Sequence, residues 1–432
     1  MLHGTLWDKI PRFAVPVAAT AILSQLFNAA DIAVIGNFTG ELRTVAVAAV
    51  GTNSSIISLI VNLFIGIALG ANVVIANAVG RGDREAVQKA VHTSIVFSLL
   101  GGIVVAVLGE LAAAALLRTL HVPDDVFPQA LLYLRIYLMG MPVILLYNFE
   151  AAIFRSVGET RVPLVALAMS GVLNVLLNLF FVAVLHMTVN GVAIATVMAN
   201  AFSSALLFRR LLRSGKDIRL EPRRLRMDGR SLWMILRIGL PAGLQSAVFA
   251  ISNIVIQSAI NSLGTEVMAA SSAAMSLEYV CYNLLNSFSQ ACTTFVGQNL
   301  GARQYDRVKK GVRFGILCSV VLAELMGVAI FFLGPHLIAL FNSTPDVVDF
   351  GTRQAKLEAF AYFLLAFSHC IAGIMRGAGK AMVPMFTMLV SWCLVRIAYI
   401  TIVIRYIPKI EVVFSAYPLT WFISSVIFLV YF

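Results

Sequence analysis

Four polar side chains inside long apolar stretches have the chemical types that bind a small cation. Asp31 lies about two-thirds of the way along the first stretch, Asn174 and Asn178 lie in the fifth, and Thr196 lies in the sixth. The two asparagines are four residues apart, so they share one face of a helix. If the four side chains converged, they would form an oxygen-rich cage suited to Na⁺, or a site where a buried carboxylate takes up a proton.

Each of these residues also has a structural interpretation that the sequence leaves open. Asp31 could be a carboxylate that only receives hydrogen bonds, and Asn174 and Asn178 could join packed helices, as asparagine commonly does in membranes. Thr196 is likewise a frequent structural residue. A carboxylate at membrane depth is costly unless it is paired, protonated or hydrated, so we expect Asp31 to be the functional member of the group.

A few other charged residues occur within apolar stretches. Glu278 and Glu324 lie near the middles of the eighth and ninth stretches, whereas Glu110 and Glu150 lie closer to the ends of theirs. Arg396, in the eleventh stretch, is the main cation at membrane depth. We therefore expect Arg396 to neutralise one of these carboxylates.

A second group of residues has the chemistry of a substrate cavity. Glu278 is followed by Tyr279 and Tyr282, whose rings could hold a cationic compound by cation–π attraction or could simply pack between helices. Asn28 lies one turn before Asp31 and is a further candidate for the cavity. Asn28 lies in the first stretch, whereas Glu278 and the two tyrosines lie in the eighth.

The elements that position these residues are membrane helices. The chain has 432 residues, of which 60% are hydrophobic and 12% are charged, and its mean hydropathy is +0.90. A soluble protein of this composition would lack the polar surface to cover its core. Twelve stretches are long enough to cross a bilayer: 12–39, 44–78, 90–117, 126–152, 162–185, 189–208, 235–263, 267–299, 311–341, 354–375, 383–405 and 412–432.

The twelve stretches form two tandem copies of six. Arg12, Pro16 and Asn28 recur 225 positions later, and a second block recurs at an offset of 221. The second block contains Gly80, Val87, Lys89, Arg155, Gly158, Val162 and Pro163. We therefore predict an all-α membrane protein with twelve transmembrane helices in two six-helix lobes, residues 1–208 and 235–432, joined by a basic linker, residues 209–234.

Proline recurs inside the first helix of each copy. Pro16 and its counterpart Pro241 remove a backbone hydrogen bond and favour a kink. In a transporter such a kink can act as a hinge, and we assign that role to Pro16. A static kink filled by neighbouring side chains is the alternative.

Charge placement predicts the orientation of the chain. The N-terminus and the connections after the even-numbered stretches hold 23 lysine and arginine residues, counting Arg12 and Arg313 at the starts of their stretches, whereas the opposite side holds five, counting Arg405 at the end of its stretch. Positive residues collect in cytoplasmic loops, so both termini are expected in the cytoplasm of a cell (inner) membrane protein. The segment 209–230 has nine basic and three acidic residues. It is interpreted as a solvated linker beside anionic lipid head groups, with no role in nucleic-acid binding.

The sequence offers little support for enzymatic chemistry. It contains no Walker-type phosphate loop, no clustered histidines and no Gly-x-Ser-x-Gly motif, and its five cysteines lie in apolar stretches without Cys-x-x-Cys spacing. We expect a monomeric transporter without a cofactor, driven by an H⁺ or Na⁺ gradient and acting on small molecules.

Several motifs together resemble the multidrug and toxic compound extrusion family of ion-coupled exporters, over essentially the whole chain. They are the Gln298–Ala302 segment after the eighth stretch, the Arg-x-x-Gly loops at Arg155 and Arg376, and Pro16 with Asp31. The resemblance implies two six-helix lobes that open alternately inward and outward. It also implies export of amphipathic, often cationic compounds in exchange for H⁺ or Na⁺.

The resemblance implies a cation site formed by Asp31, Asn174, Asn178 and Thr196. Asn178 stands where the family often has a second carboxylate, which leaves one acid in the proposed site and favours H⁺ over Na⁺. Some members carry acids in the seventh and tenth helices, but the matching segments here, 242–256 and 359–375, have no carboxylate. A site in the second lobe would therefore have to use Glu278.

Three other functions remain as alternatives. A flippase for lipid-linked saccharide precursors shares the broader architecture, but such proteins often have additional spans and several arginines that hold pyrophosphate. A membrane-embedded enzyme would require a cluster of nucleophiles or metal ligands. A passive channel would not need a titratable acid in a hinged helix.

Overall fold

The computed structural model describes residues 1–215, 217–261, 265–339, 344–407 and 410–431, and every regular element in these ranges is helical. The helices of the first half are α1 Leu6–Phe38, α2 Arg43–Arg81, α3 Arg84–Thr119, α4 Phe127–Met139, α5 Met141–Ser156, α6 Arg161–Asn178 and α7 Val189–Leu212. Those of the second half are α8 Gly229–Asn261, α9 Thr265–Gly301, α10 Tyr305–Ala339, α11 Pro345–Ala359, α12 Tyr362–Gly377, α13 Met382–Met388, α14 Arg396–Tyr406 and α15 Ile410–Tyr431.

Short irregular helical segments complete these elements. A π-helical segment, Leu179–Val184, extends α6, and a second one, Leu389–Val395, joins α13 to α14. Short 3₁₀ turns occupy Gly40–Leu42 and Pro222–Arg224. The chain therefore forms the all-α membrane fold that its hydropathy predicts.

The apolar helices correspond closely to the predicted spans. Within the described ranges, nine helices are long and apolar enough to cross a membrane, and two bent pairs raise the number to eleven if each pair is one span. The remaining predicted stretch, 267–299, is helical within α9. Serine, threonine and amide side chains make α9 less apolar than the other long helices, so it falls outside that set.

Two of the predicted spans are bent rather than straight. The fourth consists of α4 and α5, which meet at Gly140 at an angle of 51°, and the tenth consists of α11 and α12, which meet at 54°. Gly140 caps both α4 and α5, and Pro142 in the first turn of α5 lacks an N–H to continue the helix. The second break lies at Phe360 and Ala361, the latter 221 positions after Gly140.

The internal repeat is visible in the backbone as well as in the sequence. Gly158 and Gly379 both have positive φ, of 84° and 81°, at the ends of α5 and α12. Gly82 and Arg303, again 221 positions apart, also share a left-handed backbone, with φ of 69° and 56°. Related loops of the two copies therefore adopt the same turns, even where glycine is replaced.

The chain packs into two compact units whose boundaries cut across the two copies. The N-terminal unit is Ala19–Gly243, and the C-terminal unit comprises Met1–Ala18 and Leu244–Phe432. The two boundaries are 225 positions apart, so each unit includes the beginning of the other copy's first helix. The division at 1–208, 209–234 and 235–432 follows the sequence repeat and stays a prediction.

Small residues allow close helix packing within the N-terminal unit. Gly66 and Gly70 of α2 lie directly against Gly243 and Gly239 of α8, where an added Cβ would overlap the opposing backbone. The four glycines form two small-x-x-x-small pairs, which commonly mediate close contact between membrane helices. The first part of α8 is thereby held against α2.

The same interhelical hydrogen bond recurs in both units. In the N-terminal unit, Asn72 Nδ2 donates to the carbonyl oxygen of Ala152 at 3.3 Å. In the C-terminal unit, Thr293 Oγ1 donates to that of Gly373 at 2.9 Å. The two donor residues are 221 positions apart, and so are the two acceptor residues. The repeat therefore preserves this polar contact while the donor changes from asparagine to threonine.

The connection between the copies packs against α3 instead of extending freely into solvent. Gln88 Nε2 donates to the carbonyl oxygens of Asp217 and Arg219, and the backbone N–H of Asp228 donates to Thr93 Oγ1 at 2.9 Å. Ile218 and Leu220 of this connection are buried within a hydrophobic cluster. These apolar residues explain why a segment rich in positive charge is nevertheless ordered against the N-terminal unit.

Candidate functional site

Helix α1 positions Asp31 by packing closely against α6. The ring of Phe27, one turn before Asp31, lies directly over Gly171, where a Cβ would overlap the ring. Gly171 precedes Asn174 by one helical turn, so this contact brings the polar faces of α1 and α6 together. Asp31 is 8% exposed and Asn174 is 5% exposed.

Asp31, Asn178, Asn174 and Thr196 form a closed ring of hydrogen bonds, which we call the Asp31 ring. Asn178 Nδ2 donates to Asp31 Oδ1 at 2.5 Å and to Asn174 Oδ1 at 3.2 Å. Asn174 Nδ2 donates to Thr196 Oγ1 at 3.4 Å, and Thr196 Oγ1 lies 3.4 Å from Asp31 Oδ2. The four side chains therefore meet, from three helices of one unit.

The Asp31 ring retains unused capacity to bind an ion. Asn178 is fully buried, and its Oδ1 has no hydrogen-bond partner among the described residues. Buried amide oxygens are normally satisfied, so an unpartnered one beside a carboxylate is a notable acceptor. One carboxylate, two amides and a hydroxyl supply oxygen ligands of the kind that hard cations prefer.

Two tyrosines of α4 also face Asp31, and sequence reasoning did not identify them. Tyr133 and Tyr137 each interact electrostatically with Asp31. Their rings are stacked with centroids 6.0 Å apart. Their spacing of four residues was the available signal, but aromatic pairs at this spacing are common in membrane helices that have no ion site nearby.

The model of the MatE family matches residues 16–180 and 241–402, which cover most of both copies and include Asp31, Asn174 and Asn178. The chain belongs to the MatE family. It is therefore a multi-pass membrane transporter and not an enzyme, as the sequence predicts.

Individual relatives of the MatE family match almost the whole chain. The probable multidrug resistance protein YoeA of Bacillus subtilis is 25% identical over 97% of this chain and 92% of its own length. The probable multidrug resistance protein NorM of Thermotoga maritima is 24% identical over 92% of this chain and 86% of its own. A multidrug resistance MATE family transporter in an outward-facing conformation superposes with a TM-score of 0.92, at 19% identity, over 100% of this chain and 96% of its own.

The other residues predicted on α1 of this MatE chain lie outside the Asp31 ring. Asn28 is exposed, one turn before Asp31. Pro16 is buried within α1, which continues as a helix from Leu6 to Phe38. Pro16 belongs to the C-terminal unit, whereas Asp31 belongs to the N-terminal unit.

The predicted cavity residues of α9 all lie in the C-terminal unit. Tyr279 is 46% exposed and its ring lies 6.4 Å from that of Tyr282, which in turn contacts His369 edge-on at 5.0 Å. Glu278 is half-buried and interacts electrostatically with Arg396. Arg396 donates its hydrogen bonds to Thr420 Oγ1, at 3.1 and 2.7 Å, so neutralisation of a carboxylate by Arg396 stays a prediction.

Two further carboxylates are buried in the structure. Glu150 is fully buried in α5 and accepts a hydrogen bond from Ser204 Oγ at 2.9 Å. Glu358 is also fully buried, at the end of α11. It lies one residue before the segment 359–375, which has no carboxylate. Within the described ranges, histidine, cysteine and carboxylate side chains form no group that could hold a metal ion.

Proposed function

We propose that this MatE protein is an ion-coupled antiporter that exports amphipathic, often cationic compounds by alternating access. The closed Asp31 ring is the observation that carries this proposal. It joins α1, α6 and α7 through a side chain whose charge changes when it binds an ion. Such a ring can couple ion occupancy to the packing of three helices.

The ring links the charge of Asp31 to helix position. An ionised Asp31 accepts hydrogen bonds from Asn178 and Thr196, and a bond to a charged group contributes about 1.5–3 kcal/mol. A proton on Asp31 removes that charge and adds a donor, so the ring must rearrange. Ion binding therefore changes how strongly α1 is held against α6 and α7.

The composition of the ring favours H⁺ as the coupling ion. Asp31 is its one carboxylate, and the other three members are uncharged. A single negative charge compensates poorly for the lost hydration of Na⁺, whereas a proton needs one carboxylate oxygen. Na⁺ remains the alternative that the experiment below distinguishes.

Helix α1 provides a route from the ring to the rest of the protein. Its first part, including Pro16, belongs to the C-terminal unit and its second part, including Asp31, belongs to the N-terminal unit. Pro16 cannot donate a backbone hydrogen bond, which makes α1 easier to bend at that point. We therefore assign Pro16 as the hinge at which rearrangement of the ring bends α1.

The proposed substrate class rests on the exposed side chains of α9 and on the relatives. Tyr279 presents an exposed ring beside the half-buried carboxylate of Glu278, a combination that attracts an organic cation. Tyr282, one turn from Glu278, extends the same aromatic surface, and Asn28 on α1 is the polar candidate in the other unit. The relatives named as multidrug resistance proteins support a broad substrate range.

The experiment is ethidium export from proteoliposomes under a pH gradient or a Na⁺ gradient, each imposed separately. The proposal predicts export that follows the pH gradient and stops when a protonophore collapses it. Export that follows the Na⁺ gradient would still indicate an antiporter, with Na⁺ in place of H⁺ as the coupling ion. Ethidium movement that is independent of both gradients would indicate a passive channel.

The absence of ethidium export would have a different meaning. In that case, transfer of a lipid-linked saccharide between leaflets of the same proteoliposomes tests the flippase alternative. Lipid transfer without ethidium export would overturn the proposed substrate class.

A further inference from the structure

The imidazole of His92 on α3 binds the connection between α7 and α8. Its Nε2 accepts a hydrogen bond from the backbone N–H of Glu221 at 3.2 Å, and the side chain is 5% exposed. Gln88 and Thr93 make further hydrogen bonds to the same connection. Three side chains of α3 therefore hold residues 217–228, and His92 is the one among the three that can change its charge.

The contact with Glu221 requires a neutral imidazole. Nε2 can accept a hydrogen bond only while it carries no proton, because both ring nitrogens of a charged histidine are donors. A proton on this atom would place an N–H group against the N–H of Glu221, and both donors would then lack an acceptor. A donor that loses its partner away from water is costly, so the docked connection disfavours a protonated His92.

The charged groups that act on His92 within the described ranges belong to the connection itself. They are Glu221 and Arg224. The carboxylate of Glu221 would favour a protonated imidazole, but it pairs with Arg224, whose Nε lies 3.1 Å from Glu221 Oε2. The pair brings one negative and one positive charge close to the imidazole. Their opposite effects leave the lost hydrogen bond as the main consequence of protonation.

The three docking residues of α3 are replaced in the second copy of the repeat. The residues 221 positions later are Lys309, Arg313 and Phe314. Arg313 stands in the place of His92, is exposed, and has no acceptor atom. The neighbouring positions 87 and 89 keep their residue types in the second copy. The acceptor at position 92 is therefore specific to the helix that carries the connection and is not a requirement of the repeat.

The connection leads directly into α8. Asp228, the last residue before that helix, accepts hydrogen bonds from the backbone N–H and the hydroxyl group of Ser231 in its first turn, at 2.8 and 2.7 Å. Its own N–H donates to Thr93 Oγ1. Docking of the connection therefore ties the start of α8 to α3.

We propose that His92 is a pH-sensitive latch, which holds residues 217–228 against α3 while it is neutral and releases them when Nε2 takes up a proton. An imidazole in water has a pKa of about 6.5. Docking is therefore strongest above that pH and weakens by up to about tenfold per pH unit below it, because the released state binds one more proton. The inference goes beyond the proposed function, since it depends neither on the Asp31 ring nor on the identity of the substrate.

The test is hydrogen–deuterium exchange of the full chain in lipid, read by mass spectrometry in peptides that cover residues 217–228. Labelling times are adjusted for the pH dependence of chemical exchange. We expect the protection of these amides to fall as the pH is lowered from about 8 to about 5, across the range in which histidine titrates. Peptides from the middle of α3 should keep their protection.

Substitutions at position 92 separate the acceptor from the titration. His92→Gln keeps an acceptor oxygen that does not titrate, so protection should persist at low pH. His92→Leu has no acceptor, and its exchange at high pH should match that of wild type at low pH. Gel filtration and thermal melting check that each variant is folded, and either variant suffices if the other does not fold.

Thr93→Val is the matched control. It removes a neighbouring contact with the same connection but leaves the titrating group in place. Protection should be lower at every pH, and its dependence on pH should remain.

Two results would overturn the inference. The first is wild-type protection of residues 217–228 that does not change with pH. The second is a loss of protection on acidification that is as large in His92→Gln or His92→Leu as in wild type, because another group would then be the one that titrates.

Discussion

At the residue scale, Asn178 sets the negative charge of the Asp31 ring, the proposed ion site. Its Nδ2 contacts Asp31 and its buried Oδ1 has no described partner, so a carboxylate at this position would face Asp31 directly. The amide keeps the ring at one negative charge. Ion preference in this transporter is therefore predicted to depend on a single amide-to-carboxylate difference.

We expect Asn178→Asp to increase the response to Na⁺. A second unit charge about 4 Å from a cation contributes up to about 4 kcal/mol at an effective dielectric constant of 20. Even a third of that energy lowers the Na⁺ concentration for half-maximal export about tenfold. The measurement is ethidium export at increasing Na⁺ concentration in proteoliposomes.

Asn148→Asp is the matched control for that prediction. Asn148 lies half-buried on α5 in the same unit and donates to the carbonyl oxygen of Ile144, outside the ring. It should leave the Na⁺ response unchanged. An identical Na⁺ response in wild type and Asn178→Asp would show that the side chain at position 178 does not face the ion.

At the element scale, the Asp31 ring depends on how closely α1 approaches α6. The ring of Phe27 occupies the space above Gly171, and no larger residue fits there unless that ring moves. The contact lies one turn from both Asp31 and Asn174. Helix spacing at this point therefore sets the lengths of the hydrogen bonds in the Asp31 ring.

We expect Gly171→Ala to destabilise the protein and reduce export. Overpacking by one methyl group in a tight contact costs about 1–3 kcal/mol. Gly51→Ala is the control, because a Cβ on Gly51 of α2 would contact nothing within 4 Å, and alanine favours a helix. Melting temperature in detergent and ethidium export measure the two effects, and Phe27→Leu in the Gly171→Ala chain should restore part of both. Equal melting temperatures for Gly171→Ala and Gly51→Ala would contradict this account of the α1–α6 contact.

The sequence predicts those members of the site whose placement depends on local helix geometry, but not those whose placement depends on packing. Asn174 and Asn178 could be placed on one face from their spacing, because helical period is local. Tyr133 and Tyr137 could not be assigned to the ring, since which face of α4 meets α1 depends on packing between distant segments. Glu358 lies within the predicted stretch 354–375, one residue before the segment 359–375, and its burial depends on packing between segments that are distant in sequence.

At the scale of the whole molecule, the repeat accounts for most of the architecture. The two bent pairs, the matched left-handed turns and the shared hydrogen bonds at Asn72 and Thr293 all follow the offset of 221 residues. The chemistry departs from this symmetry. The Asp31 ring lies in the N-terminal unit, and the position that corresponds to Asp31 in the second copy, Ile256, is apolar.

The bias in positive charge predicts the orientation of the whole chain. With 23 basic residues in the loops of one side and five in those of the other, both termini should be cytoplasmic. A fluorescent protein fused to the C-terminus should therefore be fluorescent in cells, and alkaline phosphatase fused there should be inactive. Active alkaline phosphatase at this position would reverse the predicted topology.

The most direct test of the whole account is gradient-driven ethidium export by Asp31→Asn beside wild type and Glu110→Gln. Glu110 is a partly exposed carboxylate of the N-terminal unit that pairs with Arg135 at 3.5 Å, so its change to an amide should have little effect. We predict that Glu110→Gln exports ethidium at the wild-type rate, whereas Asp31→Asn falls to the rate of empty vesicles while remaining folded. Full gradient-driven export by folded Asp31→Asn would contradict the assignment of the Asp31 ring as the coupling site.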